Sequence, residues 1–341
     1  MIKKLITFCV PSYNSAPYLH YALDSLIVGG EDIEVLIIDD GSTDTTLQIA
    51  KDYENRYPYI FKAIHEENRG HGGAINNALS QAKGVYFKVL DSDDWVNEQA
   101  LVNMLDFIKS NKDETDLFLT DYVYFQGREN KGKTIRFNRY IKPNIITSFN
   151  NVKTFNIRDN ITLHSATYKT SVLKESKVIL PMHMSYEDNY FVYAPLHLVN
   201  KVTYLGNAPL YQYLIGRPGQ SMENNTMIRK WKDFVDCGKL IFSSCDIMPY
   251  YKKNFGLYRI LKHQLVINIA FVPLFIQLNG SKEAKEALKD FWVYCKSINP
   301  KQYHMVKKNY KVFSLSSLPG KPGERTVKFW YWAAHKVIKF N

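Results

Sequence analysis

Three aspartates within four residues are the strongest candidates for chemistry in this sequence. Asp91, Asp93 and Asp94 lie near the end of the segment 84–95, GVYFKVLDSDDW, directly after a mostly apolar run. That run is long enough for one buried strand but too short for an ordinary helix. Open α/β sheets bind their ligands at the carboxyl ends of strands. If the backbone stays extended, Asp91 and Asp93 point to one side and Ser92 to the other.

Two kinds of site fit this acidic cluster. Hard carboxylate oxygens select Mg²⁺ or Mn²⁺, and such ions typically bridge one or two protein carboxylates to the phosphates of a substrate. Alternatively, the aspartates form a solvated turn before a helix that begins near Asn97, because aspartate is also favoured at helix N-caps. The cluster by itself favours neither interpretation.

Alternating strands and helices precede the cluster. We predict strands at 5–10, 33–38, 59–64 and 85–90, and helices from about Pro17, from Thr43 or Asp44, and over 71–83. Parallel strands that are buried on both faces are nearly continuous apolar runs, as these are. The pattern predicts a doubly wound, mostly parallel α/β sheet over about the first 110 residues. Two further strands, 116–126 and 134–140, are expected to extend this sheet.

Composition limits the remaining classes of protein. The chain has 341 residues, of which 45% are hydrophobic, enough for one large domain and an appendage. Its four cysteines show no CxxC spacing, which argues against a zinc site or a disulfide framework and favours a reducing cytoplasm. No window reaches about 18 uncharged apolar residues. The most apolar window, 265–278, contains Asn268 and Pro273, and we interpret it as a buried helix.

Two nucleotide-binding classes lack their defining turns here. The first strand is followed by PSYN at 11–14 and not by the GxGxxG turn of dinucleotide-binding folds, and no GxxxxGK[ST] segment occurs. A sugar-phosphate nucleotidyltransferase would be expected to carry a glycine-rich turn at the same place. Both classes are therefore disfavoured.

Four motifs stand in a fixed order in the first hundred residues. They are PSYN at 11–14, IIDDGSTDTT at 37–46, ENRGHGGAINNAL at 67–79 and KVLDSDDW at 88–95. In order and spacing they resemble inverting family 2 glycosyltransferases of the GT-A fold, of the bacterial cell-surface polysaccharide or teichoic acid type. The resemblance is tight over about residues 4–110 and looser to about 225. It implies a GT-A catalytic domain at 1–225, with a nucleotide-sugar half at 1–110 and an acceptor half at 111–225.

The resemblance implies a donor site for a UDP-sugar. Tyr13 corresponds to the residue that stacks on the uracil ring, and Asp40 to the acid that accepts a hydrogen bond from uracil N3. The alternative for Tyr13 is packing at the edge of the sheet. Asp93 corresponds to a direct ligand of Mn²⁺ or Mg²⁺, with Asp91 reaching the metal through water or contacting the ribose. The full set of implied donor contacts is Pro11, Tyr13, Asp40, Asn68, Gly70, Asp91, Ser92, Asp93, Arg217 and Ser221.

A second acidic pair, Glu187 and Asp188, opens a predicted helix in the segment 184–198. Acids are favoured in the first turn of a helix, so compensation of the helix dipole is one explanation. The resemblance implies another, because inversion needs a carboxylate that deprotonates the acceptor hydroxyl, and the family carries its base here. We expect Asp188 to be that base, Glu187 to support it, and both carboxylates to lie exposed at the start of the helix.

Three residues are expected to contact the acceptor. Asp94 and Trp95 complete the aspartate motif of the family, and Trp95 is expected to form a wall for the sugar. His164 is placed on a predicted strand near the acceptor, although a lone histidine is more often structural.

The segment 211–222, after the base helix, is predicted to end a strand in a loop rich in glycine and proline. The resemblance implies that it closes over the donor, with Arg217 clamping the diphosphate and Ser221 donating to it. An exposed surface arginine is the alternative.

The region 226–341 is predicted to be a helical appendage. Helices are expected at 227–243, 257–278 and 281–296. After residue 300 the sequence carries nine Lys or Arg residues and one acid, and residues 325–340 form a basic amphipathic pattern with Trp330 and Tyr331 on the apolar side. The pattern favours peripheral contact with an anionic membrane surface. Packing against the protein itself or a second subunit is the alternative.

These patterns predict a metal-dependent inverting glycosyltransferase in the cytoplasm, on the inner face of the cell membrane. It would move a hexosyl or N-acetylhexosaminyl group from a UDP-sugar to a hydroxyl of a cell-surface glycan, a lipid-linked saccharide or a teichoic-acid-like anionic polymer, and a homo-oligomer stays open. Nucleic acid is not expected as a partner, because the basic residues are segregated from the catalytic half. The alternative from another class is a catalytically inactive carbohydrate-binding or scaffolding protein. The joint presence of Asp40, Asp91, Asp93 and Asp188 argues against it.

Overall fold

The computed structural model describes residues 3–127, 130–216 and 223–313. The chain divides into two compact units, the first made of Met1–Thr154 and Ile161–Ile215 and the second of Phe155–Asn160 and Gly216–Asn341. The predicted domain boundary at residue 225, and the division into donor and acceptor halves, stay predictions.

Two sheets form the framework of the first unit. Their strands are β1 (Ile6–Ser12), β2 (Ile33–Asp40), β3 (Phe61–Glu66), β4 (Tyr86–Val89), β5 (Trp95–Val96), β6 (Leu117–Thr120), β7 (Tyr122–Gln126), β8 (Asn130–Ile135), β9 (Ile146–Thr147), β10 (Ala166–Lys169), β11 (Val202–Leu205) and β12 (Tyr211–Ile215). The larger sheet has the order β3-β2-β1-β4-β10-β6-β11-β9, and the smaller has the order β5-β12-β7-β8. In the larger sheet β3, β2, β1 and β4 run parallel, whereas β10 runs antiparallel to both of its neighbours. The predicted mostly parallel α/β sheet is confirmed.

Helices connect the parallel strands of the first unit. Within the described residues they are α1 (Leu19–Leu26), α2 (Thr46–Arg56), α3 (Gly70–Gln81), α4 (Glu98–Ser110), α5 (Thr170–Ser176) and α6 (Asp188–Tyr193), with 3₁₀ segments at Ile27–Asp32, Phe149–Asn151 and Ala194–Leu198. Every residue of β1 and of β2 is buried. The buried polar side chains there are paired, since the carboxylate of Glu34 accepts hydrogen bonds from Thr7 Oγ1 (2.7 Å) and Lys83 N (3.0 Å). These buried strands place their carboxyl ends at one edge, where the acidic residues follow.

The predicted strand at 116–126 is wrong, because the chain there forms two strands in different sheets. β6 and β7 are separated by Asp121, whose side chain is fully buried. Its Oδ1 accepts a hydrogen bond from Phe137 N (3.0 Å), and its Oδ2 accepts from Tyr204 OH (3.0 Å) and from Arg136 (3.3 Å). The chain changes sheet at this carboxylate, and the partners that fix the break come from distant segments.

The predicted strand at 134–140 is also displaced. β8 ends at Ile135, and the residues after it leave the sheet. The backbone N–H of Phe137 is bonded to Asp121 instead of to a neighbouring strand.

Residues 223–313 of the second unit are mostly helical, as predicted, whereas Phe155–Asn160 forms no helix. The helices of this unit are α7 (Asn224–Arg229), α8 (Trp231–Ser244), α9 (Tyr250–Lys253), α10 (Phe255–Asn279), α11 (Lys282–Ile298) and α12 (Pro300–Phe313). In its core, Phe234 of α8 stacks on Phe275 of α10 with ring centroids 4.3 Å apart. The expected start of α11 is confirmed, because the Ser281 side chain accepts a hydrogen bond from Ala284 N (3.1 Å).

One helix of the described residues, α10, is long and apolar enough to cross a membrane by length and composition alone. Its most apolar window has a mean hydropathy of 1.4, and 61% of that window is buried inside the structure. This burial agrees with the interpretation of the segment 265–278 as a buried helix. Residues 314–341, which include the predicted amphipathic helix at 325–340, lie outside the described residues, so the membrane contact expected there stays a prediction.

The break at Asp121 yields a prediction about stability. Asp121→Ala removes the acceptor for the buried Phe137 N–H and Tyr204 hydroxyl groups, so we expect the free energy of unfolding to fall by about 2–4 kcal/mol. Urea unfolding followed by circular dichroism measures this loss. Asp106→Ala, at an exposed position of α4, is the control and should change stability by less than about 0.5 kcal/mol. Equal stability of the two variants would contradict this assignment.

Candidate functional site

The carboxyl ends of β1 and β2 present the residues expected to bind a nucleotide base. Pro11 lies within β1, and Tyr13 follows the strand with 53% of its surface exposed, so its ring is not part of the core. Asp40 is the last residue of β2 and is buried. Its Oδ1 accepts a hydrogen bond from Arg69 N (2.6 Å). An exposed ring thus lies near a buried, oriented carboxylate, which is an arrangement that suits a planar base with a hydrogen-bond donor on its edge.

The glycine-rich segment approaches other parts of the backbone closely. Gly41 has a φ of +72°, and a Cβ there would lie 2.9 Å from the backbone nitrogen of Asn68. Gly70 has a φ of +75°, and a Cβ there would lie 2.8 Å from the backbone nitrogen of His183. Only glycine combines a positive φ with a backbone approach that leaves no room for a Cβ. The close neighbour of Gly70 in this structure is therefore protein backbone, and its expected contact with the donor stays a prediction.

The aspartate motif forms a turn and not an extended segment. The backbone N–H of Asp94 donates to the carbonyl of Asp91 (3.0 Å), so the expectation that alternate side chains point the same way is wrong here. The Ser92 hydroxyl lies 2.6 Å from that of Ser15. The helix after the turn is capped by Asn97, whose side chain accepts from Ala100 N, so capping does not explain the aspartates.

Asp94 is fully buried and anchors the smaller sheet to the turn. Its Oδ2 accepts a hydrogen bond from Tyr211 OH (2.6 Å), and its Oδ1 accepts from Leu214 N (2.7 Å). Burial, together with the charges of Asp93 and Asp91, raises the pKa of Asp94 well above its ordinary value. Both oxygens of this carboxylate are thus bonded to protein donors, and the side chain is closed to solvent. The expected contact of Asp94 with the acceptor stays a prediction, and the structure gives Asp94 a structural role.

His164 lies in a turn just before β10, and not on a strand as expected. Its ring stacks on Tyr213, with centroids 4.3 Å apart, and meets Tyr211 edge-on at 4.8 Å. Its Nδ1 is buried and has no hydrogen-bond partner among the described residues. Burial lowers the pKa of His164 to about 4, so the ring is neutral near pH 7. Trp95 is half-buried beside Phe125, at 5.0 Å, and its expected contact with a sugar stays a prediction.

Lys88 of β4 is a buried amine beneath the turn that carries His164. Its side chain is fully buried, and Nζ donates to the carbonyl oxygens of His164 (3.0 Å) and Ala166 (3.2 Å). Burial lowers the pKa of Lys88 to about 7, while the charge of Asp91 acts in the opposite direction. The amine thereby holds the turn that carries His164 against the strand that leads to the aspartates.

Among the described residues, Asp91, Asp94 and His164 offer one ligand atom each within 4.8 Å of one another. Carboxylate oxygens suit Mn²⁺ or Mg²⁺, and an imidazole nitrogen suits a transition-metal ion, so this set of donors fits a divalent cation. Asp93, which the resemblance implies as the direct ligand, is buried and does not belong to this group. Its ligand role stays a prediction.

His71 of α3 contacts both acidic clusters. Its Nε2 lies 3.0 Å from Asp91 Oδ1, and its Nδ1 lies 2.7 Å from Glu187 Oε1. Burial opposes the charge on the ring, but the two carboxylates outweigh it and hold the pKa of His71 well above its ordinary value. The same contact lowers the pKa of Asp91, against the effect of its own burial.

The expected exposure of Glu187 is wrong. Its side chain is buried because α6 begins one residue later and the carboxylate turns towards His71. Asp188 is partly exposed, and its Oδ1 accepts from Asn189 Nδ2 (3.2 Å). Burial first, and then the charge of Glu187, raise the pKa of Asp188 from 3.8 to about 7. A carboxylate with such a pKa is well matched to accept a proton near neutral pH.

The sequence missed several residues of this site. His71 lies within the glycine-rich motif and Tyr211 within a predicted strand, but the residues around them give no indication of the distant side chains that they contact. Lys88 interrupts an apolar strand, and that interruption was the one signal available from the sequence. Arg217 and Ser221, expected to bind the diphosphate, lie outside the described residues.

Comparison with known proteins gives three results. Residues 7–176 match the family model described as Glycosyl transferase family 2. The chain is 29% identical over 222 residues to the poly(ribitol-phosphate) beta-glucosyltransferase of Bacillus spizizenii, an alignment that covers 64% of this chain and 33% of the relative. It is 29% identical over 237 residues to the poly(ribitol-phosphate) beta-N-acetylglucosaminyltransferase TarS of Staphylococcus aureus, covering 68% and 39%. The chain thus spans about a third of the length of these curated relatives.

Solved structures show the same fold. The crystal structure of S. aureus TarS 1–349 in complex with UDP is similar with a TM-score of 0.65 and 22% identity, over 97% of this chain and 92% of that chain. The complex of TarS 1–349 with UDP-GlcNAc has a TM-score of 0.63 and 23% identity, over 90% and 91%. At these identities the likeness concerns the fold, and it confirms the predicted fold class.

The raised pKa of Asp188 predicts how its removal affects stability. Between about pH 4 and pH 7 the folded state keeps a proton on Asp188 that the unfolded state has released, so this residue makes folding less favourable as pH rises through that interval. Asp188→Asn removes the charged form. We expect it to stabilise the fold by roughly 1–2 kcal/mol at pH 8, after discounting for partial exposure, and by almost nothing at pH 4. Urea unfolding at both pH values measures the difference, and a variant less stable than the wild type at pH 8 would refute it.

Proposed function

The chain belongs to glycosyltransferase family 2 through its domain at residues 7–176, and from that premise we propose that it transfers a sugar from a UDP-sugar to a hydroxyl group of a cell-surface glycan or teichoic-acid-like polymer. One observation carries the proposal. The aspartate turn at 91–94 and the acid pair at 187–188 are separated by 93 or more residues in sequence, yet both contact the single imidazole of His71. A donor-binding cluster and a candidate base are thereby neighbours, as a direct displacement requires.

The donor is bound through its nucleotide in this proposal. Tyr13 stacks on the uracil ring, Asp40 accepts from the base, and the segment from Asn68 lies beside it. TarS, a relative of the same fold, has been crystallised with UDP and with UDP-GlcNAc. That observation supports uracil as the base of the donor and a hexosyl or N-acetylhexosaminyl group as the sugar.

The metal is held by the acidic turn in this proposal. Asp91 and Asp93 supply carboxylate oxygens, and a ring nitrogen of His164, which lies within 4.8 Å of a carboxylate oxygen of Asp91, is a further candidate donor. A bound Mn²⁺ or Mg²⁺ would neutralise charge on the departing diphosphate. The partial exposure of Asp91, at 27% of its side chain, leaves it accessible to such an ion.

Asp188 is the general base in this proposal. It takes the proton of the acceptor hydroxyl while that oxygen bonds to the reacting carbon of the sugar. The bond from this carbon to the diphosphate breaks, UDP leaves, and the configuration at the carbon is inverted. Glu187 supports the base, because its charge contributes to the raised proton affinity of Asp188. The fold alone does not require this pair of adjacent acids, since the Asp188 charge costs stability. An inactive binding protein on the same fold would gain nothing from keeping it.

The acceptor and the cellular location complete the proposal. Two relatives are named as poly(ribitol-phosphate) glycosyltransferases, which supports a wall polymer or a related lipid-linked saccharide as the acceptor. We propose a cytoplasmic enzyme at the inner face of the membrane, held there by the basic residues after position 300. A homo-oligomer stays open.

The metal assignment is tested by Asp93→Ala. If Asp93 is a ligand, the increase in UDP affinity that Mn²⁺ produces should disappear, while the far-UV circular dichroism stays unchanged. Isothermal titration calorimetry with UDP, with and without Mn²⁺, measures the effect. Asp52→Ala, at an exposed position of α2, should bind as the wild type does. Undiminished Mn²⁺-dependent binding in Asp93→Ala would move the site to Asp91, Asp94 and His164.

The base assignment is tested by Asp188→Asn. The amide keeps the shape of the carboxylate but cannot accept the proton, so transfer should fall by about 10²–10⁴-fold while Mn²⁺-dependent UDP binding survives. In the wild type, kcat/KM should rise with pH through about 7, because the base must be ionised. Assays with UDP-GlcNAc and UDP-glucose from pH 5 to 9 measure both effects. Full turnover in Asp188→Asn, together with an inactive Glu187→Gln, would assign the base to Glu187.

A further inference from the structure

The side chain of His71 joins two parts of the site that are distant in sequence. Asp91 lies 20 residues after it, and Glu187 lies 116 residues after it. A carboxylate oxygen is an acceptor when ionised, so each ring nitrogen that faces one must donate. Both nitrogens of one ring are thus engaged, one by each acid.

The helix that carries His71 is built against the segment before the acid pair. Asn76 Nδ2 donates to the carbonyl of Leu180 (2.8 Å), and Leu180 N donates back to Asn76 Oδ1 (2.9 Å). A Cβ at Gly72 would lie 2.5 Å from the carbonyl oxygen of Pro181 and 3.1 Å from Glu187 Cγ. The glycine at 72 thus lets α3 approach the acid pair within reach of the imidazole.

We propose that His71 is a positioning residue, which fixes the carboxylate of Glu187 on the base side relative to that of Asp91 on the donor side. The inference rests on the proposed function, because it assigns these two sides to base and donor. It goes beyond the proposed function in giving the glycine-rich segment a task other than nucleotide contact.

Each of the two hydrogen bonds has its own consequence for the reaction. On the donor side, the bond to Oδ1 sets the orientation of Asp91, and partners of this kind commonly tune the affinity of a site for its metal. On the base side, the bond to Oε1 holds Glu187 beside Asp188. A general base must stay within hydrogen-bond reach of the acceptor hydroxyl, and a small misplacement is costly. Loss of the bond to Asp91 should therefore affect UDP binding, and loss of the bond to Glu187 should affect turnover.

Two substitutions separate these bonds. The amide nitrogen of asparagine can take the place of imidazole Nδ1, whereas the longer glutamine can place its amide nitrogen where Nε2 was. His71→Asn therefore keeps the donor for Glu187 and loses the donor for Asp91. His71→Gln keeps the donor for Asp91 and loses the donor for Glu187.

The test compares donor binding with turnover in these variants of the full chain. For His71→Asn we expect Mn²⁺-dependent UDP affinity, measured by calorimetry, to fall roughly 10- to 100-fold, with kcat at saturating donor near that of the wild type. For His71→Gln we expect near wild-type affinity and a kcat reduced by a similar factor. His197→Gln is the control and should change neither UDP affinity nor kcat. The Nδ1 of His197 lies 2.8 Å from the carbonyl oxygen of Ala194, and His197 has no assigned role in the site. Circular dichroism checks that all three proteins are folded.

The outcomes distinguish this inference from the proposed function. Folded variants that lose binding and turnover in the same proportion, or that change neither, would show a structural role for His71 and would overturn this inference alone. A wild-type protein that neither binds UDP with Mn²⁺ nor transfers sugar would overturn the proposed function and this inference with it. Reduced UDP affinity in His71→Asn, together with reduced kcat in His71→Gln, would support both the proposed function and this inference.

Discussion

Repulsion between neighbouring carboxylates is the constraint on which the organisation of this site depends. Asp94 and Glu187 are buried, and Asp91 and Asp188 lie beside them, where water screens their charges poorly. The structure answers this repulsion with a different partner in each case. His71 lies between Asp91 and Glu187, and a phenol and a backbone amide hold Asp94. Burial and the charge of Glu187 raise the pKa of Asp188 to about 7, and this is the property that a general base needs.

The same compensating contacts also hold the two sheets of the first unit together. Asp94 bonds to Tyr211 and Leu214 of β12, so the smaller sheet is attached directly to the turn that carries the aspartates. Beneath that turn, Lys88 bonds to the carbonyl oxygens of His164 and Ala166. Stability and function therefore draw on the same groups. The raised pKa values of Asp94 and Asp188 mark places where the fold tolerates an unfavourable charge.

Local patterns in the sequence predicted the elements that are governed by burial. The apolar runs before Asp40 and Asp91 became buried parallel strands, and the acids that follow them lie at the carboxyl ends, as expected. Three of the errors have one cause in common. At Asp121 a predicted single strand breaks, at 91–94 a predicted extended segment turns, and at Glu187 a predicted exposed side chain is buried. In each case a hydrogen bond decided the conformation, and for Asp121 and Glu187 its partner lies outside the local pattern.

The sequence by itself determined the fold class, the resemblance to a glycosyltransferase family and the identity of the acids, because strand burial and motif spacing are set within a few residues. Tertiary structure decided which of those acids meet and in what state of charge. His71 illustrates the difference, since the glycines around it are visible in the sequence but their close approach to the segment before Glu187 is not. A pKa depends on every charge within a few ångströms. Asp91 and Glu187 lie 20 and 116 positions after His71, and they come within that distance of it only when the chain is folded.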